Sequence, residues 1–407
     1  MAREYELRHM PLAYPVWGKQ YIDREALNQM DQAMRLPVSV AGALMPDAHV
    51  GYGLPIGGVL ATEGVVIPYA VGVDIACRMR LSIFEVSPNT IGQKIDLFKK
   101  VLNEQTRFGL GRKGGEWDPR EQVEHPILDD PDWNATPYLR SLKDIGFREL
   151  GTSGTGNHFV NWGAFTLEKD HEQLGLKAGE YLALLSHSGS RGVGYKIANH
   201  YSKLAMELHP NLDPQVRHLA WLSLDSQEGQ SYWIAMQLAG RFAAANHEVI
   251  HRRIAKAIKL KPVAVVENHH NFAWKTVIPA PSGFAQGSRE VIVHRKGATP
   301  AGLGVLGVIP GSMADPGYVV SGRGNAASLE SAAHGAGRAM GRNEAKRAIT
   351  KTERDRYLKE RHVTLIGGGL DEAPQAYKPI NEIMAAQDEL VEIVGRFTPR
   401  IVRMANE

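Results

Sequence analysis

Apolar positions along the chain follow two patterns. Short compact runs, Gly64-Val-Val-Ile-Pro, Tyr181-Leu-Ala-Leu-Leu, Val263-Ala-Val-Val and Val291-Ile-Val, predict strands. Longer stretches with apolar residues at three- and four-residue spacing predict helices over Ser231–Lys259, Ser328–Thr350 and Asn381–Gly395. Between them lie glycine-dense segments at 51–64, 151–163, 189–194, 297–324 and 335–341, with a later triplet at Gly367–Gly369. The stretch Lys113–Ala135, rich in Asp, Glu, Pro and Trp, predicts an exposed excursion. Strands scattered among helices without a strong linker predict a single mixed α/β domain over residues 1–407, closer to α+β than to a doubly wound sheet.

Composition narrows the function classes. A single cysteine among 407 residues excludes an intrachain disulfide framework and a Cys-rich zinc module. It fits a reducing compartment. The formal net charge is only +3, so a polyanionic partner would need a local basic cleft. The first nine residues carry charges and no apolar core follows them, unlike a signal peptide. The uncharged stretch Gly64 to Val73 is ten residues long, whereas a membrane span needs about 20. The expectation is a cytoplasmic protein with no membrane partner.

The glycine clusters also carry the residues with chemistry. Each could be an ordinary turn, but repeated glycine beside His, Asn, Ser, Arg and Asp favours a loop-built pocket. Asp74 and Cys77 are three apart and share a face if that segment turns helically. Cys77 alone could equally be a small buried hydrophobe. His158, His187 and the pair His269-His270 stand at other clusters, where each could be structural. Together these donors suffice for two divalent ions if one ligand bridges, and a thiolate is a competent bridge. His334, Arg338 and Arg342 form a four-residue stripe if 328–350 is helical. That arrangement could set a nucleophilic imidazole beside phosphate-holding guanidinium groups, or it could be a solvated basic face.

The runs MPDAHVGYG (45–53), IPYAVGVDIACRM (67–79), GTSGTGNHF (151–159), HSGSRGVG (187–194), HHN (269–271), RKGA (295–298), VIPGSM (308–313) and SAAHGAGRAM (331–340), in this order, resemble those of the RtcB family of RNA-splicing ligases. A late Ala-Tyr377-Lys378 followed by Met384-Ala-Ala-Gln387 fits as well, so the likeness covers about residues 40–395. It is weak in 80–145 and 200–260. The resemblance implies the family's own mixed α/β fold around a central metal and nucleotide pocket. It also implies a GTP- and manganese-dependent ligase that joins an RNA 3′-phosphate or 2′,3′-cyclic phosphate to a 5′-hydroxyl through a covalent histidine–GMP. His334 would be the nucleophile. Asp74, Cys77, His158, His187 and His270 would hold two Mn²⁺ ions, with Zn²⁺ a possible substitute. GTP would lie along Asn157, His158, Phe159, Val160, Asn161, His270, Asn271, Pro310, Gly311, Ser312, Met313, His334, Gly335, Ala336 and Gly337, with Tyr377 stacking on the base. The partners implied are broken RNA or tRNA halves.

Four positions depart from the family pattern. Asn161 stands where a glutamate usually grips the guanine edge, Gly317 where a serine is expected, and Tyr52 where the early motif has lysine. The usual C-terminal Lys-Gly is absent from the ending Arg403-Met-Ala-Asn-Glu407. The ligands and nucleophile are retained while base-reading groups change, so the chain reads as a diverged paralogue with altered base selectivity.

Other readings remain at this level. His247-Glu248-Val-Ile-His251 matches the helical zinc-protease signature, without an obvious third ligand. The basic residues around it could instead make a helix facing RNA or solvent. The same two ions could serve a phosphodiesterase or nucleotidyl hydrolase that activates water, and a non-enzymatic RNA-binding role is a third possibility. Arg191, Arg295, Lys296, Arg323, Arg338 and Arg342 fall in or beside the proposed loops and could compensate RNA charge, or be ordinary surface charge. No aromatic-rich platform for single strands is apparent, and the oligomeric state is not legible.

Overall fold

A computed structural model describes residues 5–109, 123–279 and 288–406. The fold is mixed helix and sheet, as the pattern predicts. Its central sheet runs in the order Leu306–Ile309, Gly317–Gly322, Val391–Met404, Phe159–Leu167, Gly179–Ser188, Arg78–Phe84 and Ala264–His269, all antiparallel. Thr364–Ile366 pairs in parallel with the far end of Val391–Met404. A second antiparallel sheet runs Ser39–His49, Ile56–Thr62, Ser288–Lys296 and Asn271–Pro279. Only His270 separates the last strand of the first sheet from the last strand of the second, so this residue sits where the chain passes between them.

The predicted long helix forms over Gln227–Ala257 and packs across the central sheet. Its interior carries Ala, Gly and Leu on the packed faces, with Ala235, Leu238, Ala239, Phe242 and Val249 fully buried. Small residues at these positions let a helix that is buried on several sides approach its neighbours. Ser226 caps its start by accepting from the Gly229 amide. Among the described residues, no helix is long and apolar enough to cross a membrane.

Three expectations fail. The segment 328–350 is not a helix: it forms a short 3-10 turn, the strand Ser331–Ala333, a loop, and then a helix only over Arg342–Ala348. Gly337 adopts φ +74°, where a Cβ would collide with the Asp47 carbonyl, and that close approach replaces the helical turn the spacing predicts. His334, Arg338 and Arg342 therefore do not share a helical stripe. The stretch predicted helical over Asn381–Gly395 divides into a helix Ile380–Ala385 and the strand Val391–Met404. The predicted excursion is exposed only in part. Ile127 and Leu128 are buried, and Trp133 is fully buried, its ring edge-on to Phe242 at 6.2 Å with its indole N–H donating to Ile127 O. Residues 113–122 of that stretch lie outside the described residues.

Candidate metal and nucleotide site

Register brings the metal-ligand candidates to one end of the central sheet. His187 pairs with Phe159 on one side and Met79 on the other, so His158 and Cys77, each one residue before its strand, flank it. His270 follows the strand that pairs with Arg78, and its amide donates to Cys77 O (3.0 Å). Asp74 reaches the same point through a tight turn in which Ala76 has φ +55° and the Cys77 amide donates to Asp74 O. The turn, not a helix, brings Asp74 and Cys77 together. Gly189 leaves room for the Asp74 carboxylate, which a Cβ there would strike.

The donor atoms form two sets that share the sulfur: Asp74, Cys77 and His158, and Cys77, His187 and His270. Cys77 Sγ lies 3.1 Å from His187 Nε2 and 3.6 Å from His158 Nε2. His158 Nε2 is 3.0 Å from Asp74 Oδ2, and His187 Nε2 is 3.4 Å from His270 Nε2. The backbone fixes the tautomers. His158 Nδ1–H donates to Ser153 O (2.8 Å) and His187 Nδ1–H to Asn157 O (3.1 Å), leaving both Nε2 lone pairs pointing inward. The His158 lone pair then meets the Asp74 carboxylate, an arrangement that is repulsive unless a cation lies between, whereas among the described residues no hydrogen bond fixes the tautomer of His270. Ligands about 2.1 Å from a shared ion sit roughly 3.4 Å apart at tetrahedral angles, close to the observed separations. The residues present fit two divalent ions bridged by sulfur.

Electrostatics agree. Burial pushes His187 down to about 3, helped by His158, and holds His270 well below the usual histidine range, so both imidazoles are neutral, the form that can bind a metal. Burial would raise the Asp74 carboxyl, but with no ion bound a proton on His158 Nε2, donated to it, and the Arg191 charge outweigh burial and hold it low; a bound cation would take that proton's place. Burial, reinforced by Asp74, raises the Cys77 thiol well above its ordinary value; a bound cation would reverse that.

Next to the ligands stands His334, its ring centroid 4.9 Å from that of His270. Its Nδ1–H donates to Asp47 Oδ2 at 2.6 Å, and the same oxygen accepts from the His334 and Gly335 amides at 3.1 and 3.3 Å. Asp47 is fully buried at the end of the strand Ser39–His49. The buried Lys378 donates to the neighbouring Ala48 O (2.7 Å). The opposite nitrogen of His334 is thereby left with a free lone pair. Asp47 stands in the run MPDAH, but nothing in its spacing ties it to His334, 287 residues away.

A cavity of about 850 Å³ opens over this constellation. Of the predicted nucleotide residues, Asn157, Phe159, His270, Asn271, Pro310, Gly311, Ser312, Met313, His334, Gly335, Ala336, Gly337 and Tyr377 line it. His158 is buried beside Asp74 and Cys77 and does not line the cavity. Val160 is fully buried in an apolar cluster with Trp162 and Phe84, and Asn161 is buried between strands with Oδ1 lacking a partner; neither lines the cavity. Tyr377 is bound on its hydroxyl by Glu372, and the Arg338 guanidinium lies 5.2 Å over its ring. Asn271 joins the loops by donating to Asp74 O (3.1 Å) and accepting from Gly297 N (2.7 Å).

The basic residues divide. Lys296, Arg338 and Arg342 line the cavity, but Arg338 and Arg342 are paired with Glu372, and Arg342 also with Asp371 at 2.6 Å. Arg191 approaches His158 Nδ1 (3.3 Å), and Arg323 is exposed. Arg295 is instead buried, donating to Ser331 Oγ and Leu329 O with its guanidinium 4.5 Å over Trp274, so it serves packing and not the cleft.

The protease-like motif resolves as structure. His247 and His251 are buried, both 2.7 Å from Ser186 Oγ, and His251 is also 2.8 Å from Ser82 Oγ. Glu248 faces outward toward His125 and Arg252, while Glu267 pairs with Arg78 and Arg80. Among the described residues nothing converges on the two imidazoles as a third ligand, and both are buried away from solvent. The adjacent Asn246 has a clearer link to the site: it accepts from the Gly151 and Thr152 amides (2.7 and 3.0 Å) and donates to Thr152 O (2.9 Å). It thus fixes the loop whose Ser153 carbonyl orients His158, a link that no motif signals.

Comparison with known proteins adds a separate line of support. A family model described as tRNA-splicing ligase RtcB matches residues 29–405. The chain is 30% identical to the RNA-splicing ligase RtcB of Escherichia coli strain K12, over 93% of this chain and 94% of that protein. It is 31% identical to the tRNA-splicing ligase RtcB of Nanoarchaeum equitans, over 93% and 91% of the two chains. With the protein of the same name from Thermococcus kodakarensis the identity is 28%, over 94% and 93%.

Proposed function

The chain belongs to the RtcB family, and from that premise we propose that it is an RNA ligase that joins a 3′-phosphate or 2′,3′-cyclic phosphate end to a 5′-hydroxyl end using GTP. We read residues 1–407 as one ligase domain acting in the cytoplasm on broken RNA or tRNA halves. The observation that carries the reading is His334, held by the buried Asp47 and lining the same cavity as the donor sets that share Cys77.

Asp47 holds the Nδ1 proton of His334, so the other ring nitrogen is free to attack the α-phosphorus of GTP. A nitrogen–phosphorus bond forms, the bond to pyrophosphate breaks, and the carboxylate stabilises the positive imidazole that results. An oxygen of the RNA 3′-phosphate then takes the GMP and restores neutral His334. Attack by the 5′-hydroxyl on that activated phosphate closes the phosphodiester and releases GMP. A 2′,3′-cyclic end must first be opened by water. Asp74, Cys77, His158, His187 and His270 would hold two ions, Mn²⁺ or Zn²⁺, which when bound would neutralise charge on the reacting phosphates. Glycine-flanked amides at 335–337 and 311 can approach phosphate closely.

A hydrolase using the same ions would activate water and could use the same Asp47–His334 pair as its general base, so the two readings part at the product. The test is joining of two synthetic RNAs, one ending in 3′-phosphate and one beginning with 5′-hydroxyl, in the presence of GTP and Mn²⁺. A GTP-dependent phosphodiester product is expected; shortened or dephosphorylated ends without joining would favour the hydrolase.

A further inference from the structure

The rim of the cavity carries aromatic rings for which the chemistry above has no role. Tyr52 lines the cavity and is 67% exposed. Its ring centroid lies 6.2 Å from that of His218 and 6.5 Å from that of Tyr69, and Tyr69 lies 5.2 Å from His218. Both contacts with His218 are edge to face, at 85° and 64°, so the rings are not stacked on one another. Tyr195, in the second turn of the helix Arg191–Leu208, is 56% exposed, and that helix packs against the short helix Pro68–Val71, which carries Tyr69. These residues come from four separate segments, so no single stretch of sequence shows the cluster.

The cluster is held in place. Lys296, itself a cavity residue, donates to the carbonyls of Tyr52 and Leu54 from beneath. Gly53 has φ +71° and rests against the backbone of His218. Open ring faces on a fixed loop are apolar surface left in water, which folding alone would not maintain. Exposed cations flank them, with Arg217 beside His218 and Lys196 beside Tyr195 in sequence. Rings with open faces, cations alongside and continuity with a phosphate-handling cavity match how unpaired bases and their backbone are bound.

We infer that Tyr52, Tyr69, Tyr195 and His218 form a stacking platform for the unpaired bases of a single-stranded RNA whose end enters the cavity. The inference rests on the ligase reading for the identity of that end. Its test is fluorescence anisotropy with a 3′-phosphorylated RNA of about 12 nucleotides, single-stranded or in a blunt duplex. Tyr52→Ala, His218→Ala and Tyr195→Ala should each weaken single-strand binding roughly tenfold, while Tyr195→Phe, which keeps the ring, should stay close to wild type. Duplex affinity should hardly move. His218→Ala and Tyr195→Ala should still take up label from GTP. Unchanged single-strand affinity in the triple alanine variant would overturn the platform. So would an equal loss for the duplex, or loss of self-association in place of RNA binding. If GTP labels no variant, wild type included, yet single-strand affinity still falls as expected, the platform stands and the ligase reading fails.

Discussion

Asp47 Oδ2 lies 2.6 Å from His334 Nδ1 and accepts two backbone amides of the same loop, so one buried carboxylate oxygen fixes both the ring's tautomer and the chain that carries it. Asp47→Asn keeps the shape but removes the charge and allows the wrong tautomer. The expected result is a loss of about 10³–10⁴-fold in the rate of single-turnover GMP transfer to the protein, with the fold retained by circular dichroism. A loss of less than about tenfold would mean that the carboxylate only holds the loop.

Cys77 is the one atom source common to both donor sets. Cys77→Ser shortens the reach and replaces a soft thiolate with a hydroxyl. Calorimetric titration with Mn²⁺ should show affinity weakened by more than the roughly 10–100-fold that loss of a ligand's supporting partner costs, with both sites affected. Loss of a single site with the other intact would contradict a bridging role.

Base selectivity should be relaxed. Asn161 is buried and does not line the cavity, whereas the apolar Met404 does. A carboxylate pairs with the guanine N1–H and amino group through charge-assisted bonds that an amide does not make. Protein labelling with each of the four nucleoside triphosphates should differ by less than about tenfold, the effect of one such bond. Labelling by GTP alone would contradict this.

Stability should depend on His294. This histidine is buried, with Nδ1–H donating to Leu60 O (3.0 Å) and Nε2 accepting from Ile67 N (2.9 Å), and burial lowers it to about 4. Above pH 6.5 it is neutral folded or unfolded and has no effect. Between pH 6.5 and 4 the unfolded chain takes up a proton that the folded chain refuses, so stability falls as pH falls, by about 3 kcal/mol in all. Denaturant unfolding of wild type should lose that much more between pH 7 and 4 than His294→Gln. Parallel curves would rule it out.

Much of the candidate metal site is legible in the sequence because its donors stand in separate short motifs at strand ends, where register, and for Asp74 a tight turn, brings them together. The helix Gln227–Ala257 is legible from periodicity for the same local reason. The segment 328–350 misleads because alanine and glycine recur at helical spacing, while its conformation is set by the distant Asp47. Trp133 misleads because acidic and proline neighbours surround a residue whose burial depends on Phe242 and Gly146. Asn246 and the ring cluster at Tyr52 depend wholly on tertiary approach. Arg295 shows the converse, since its motif position beside the pocket says nothing of its side chain turning inward to Ser331 and Trp274.

The central claim is that His334 becomes covalently bound to nucleotide. Incubating the protein with α-labelled GTP and Mn²⁺, then denaturing it, measures this directly. Acid-labile, alkali-stable label on wild type and none on His334→Ala is the predicted result. Wild type left unlabelled, or label surviving in His334→Ala, would contradict it.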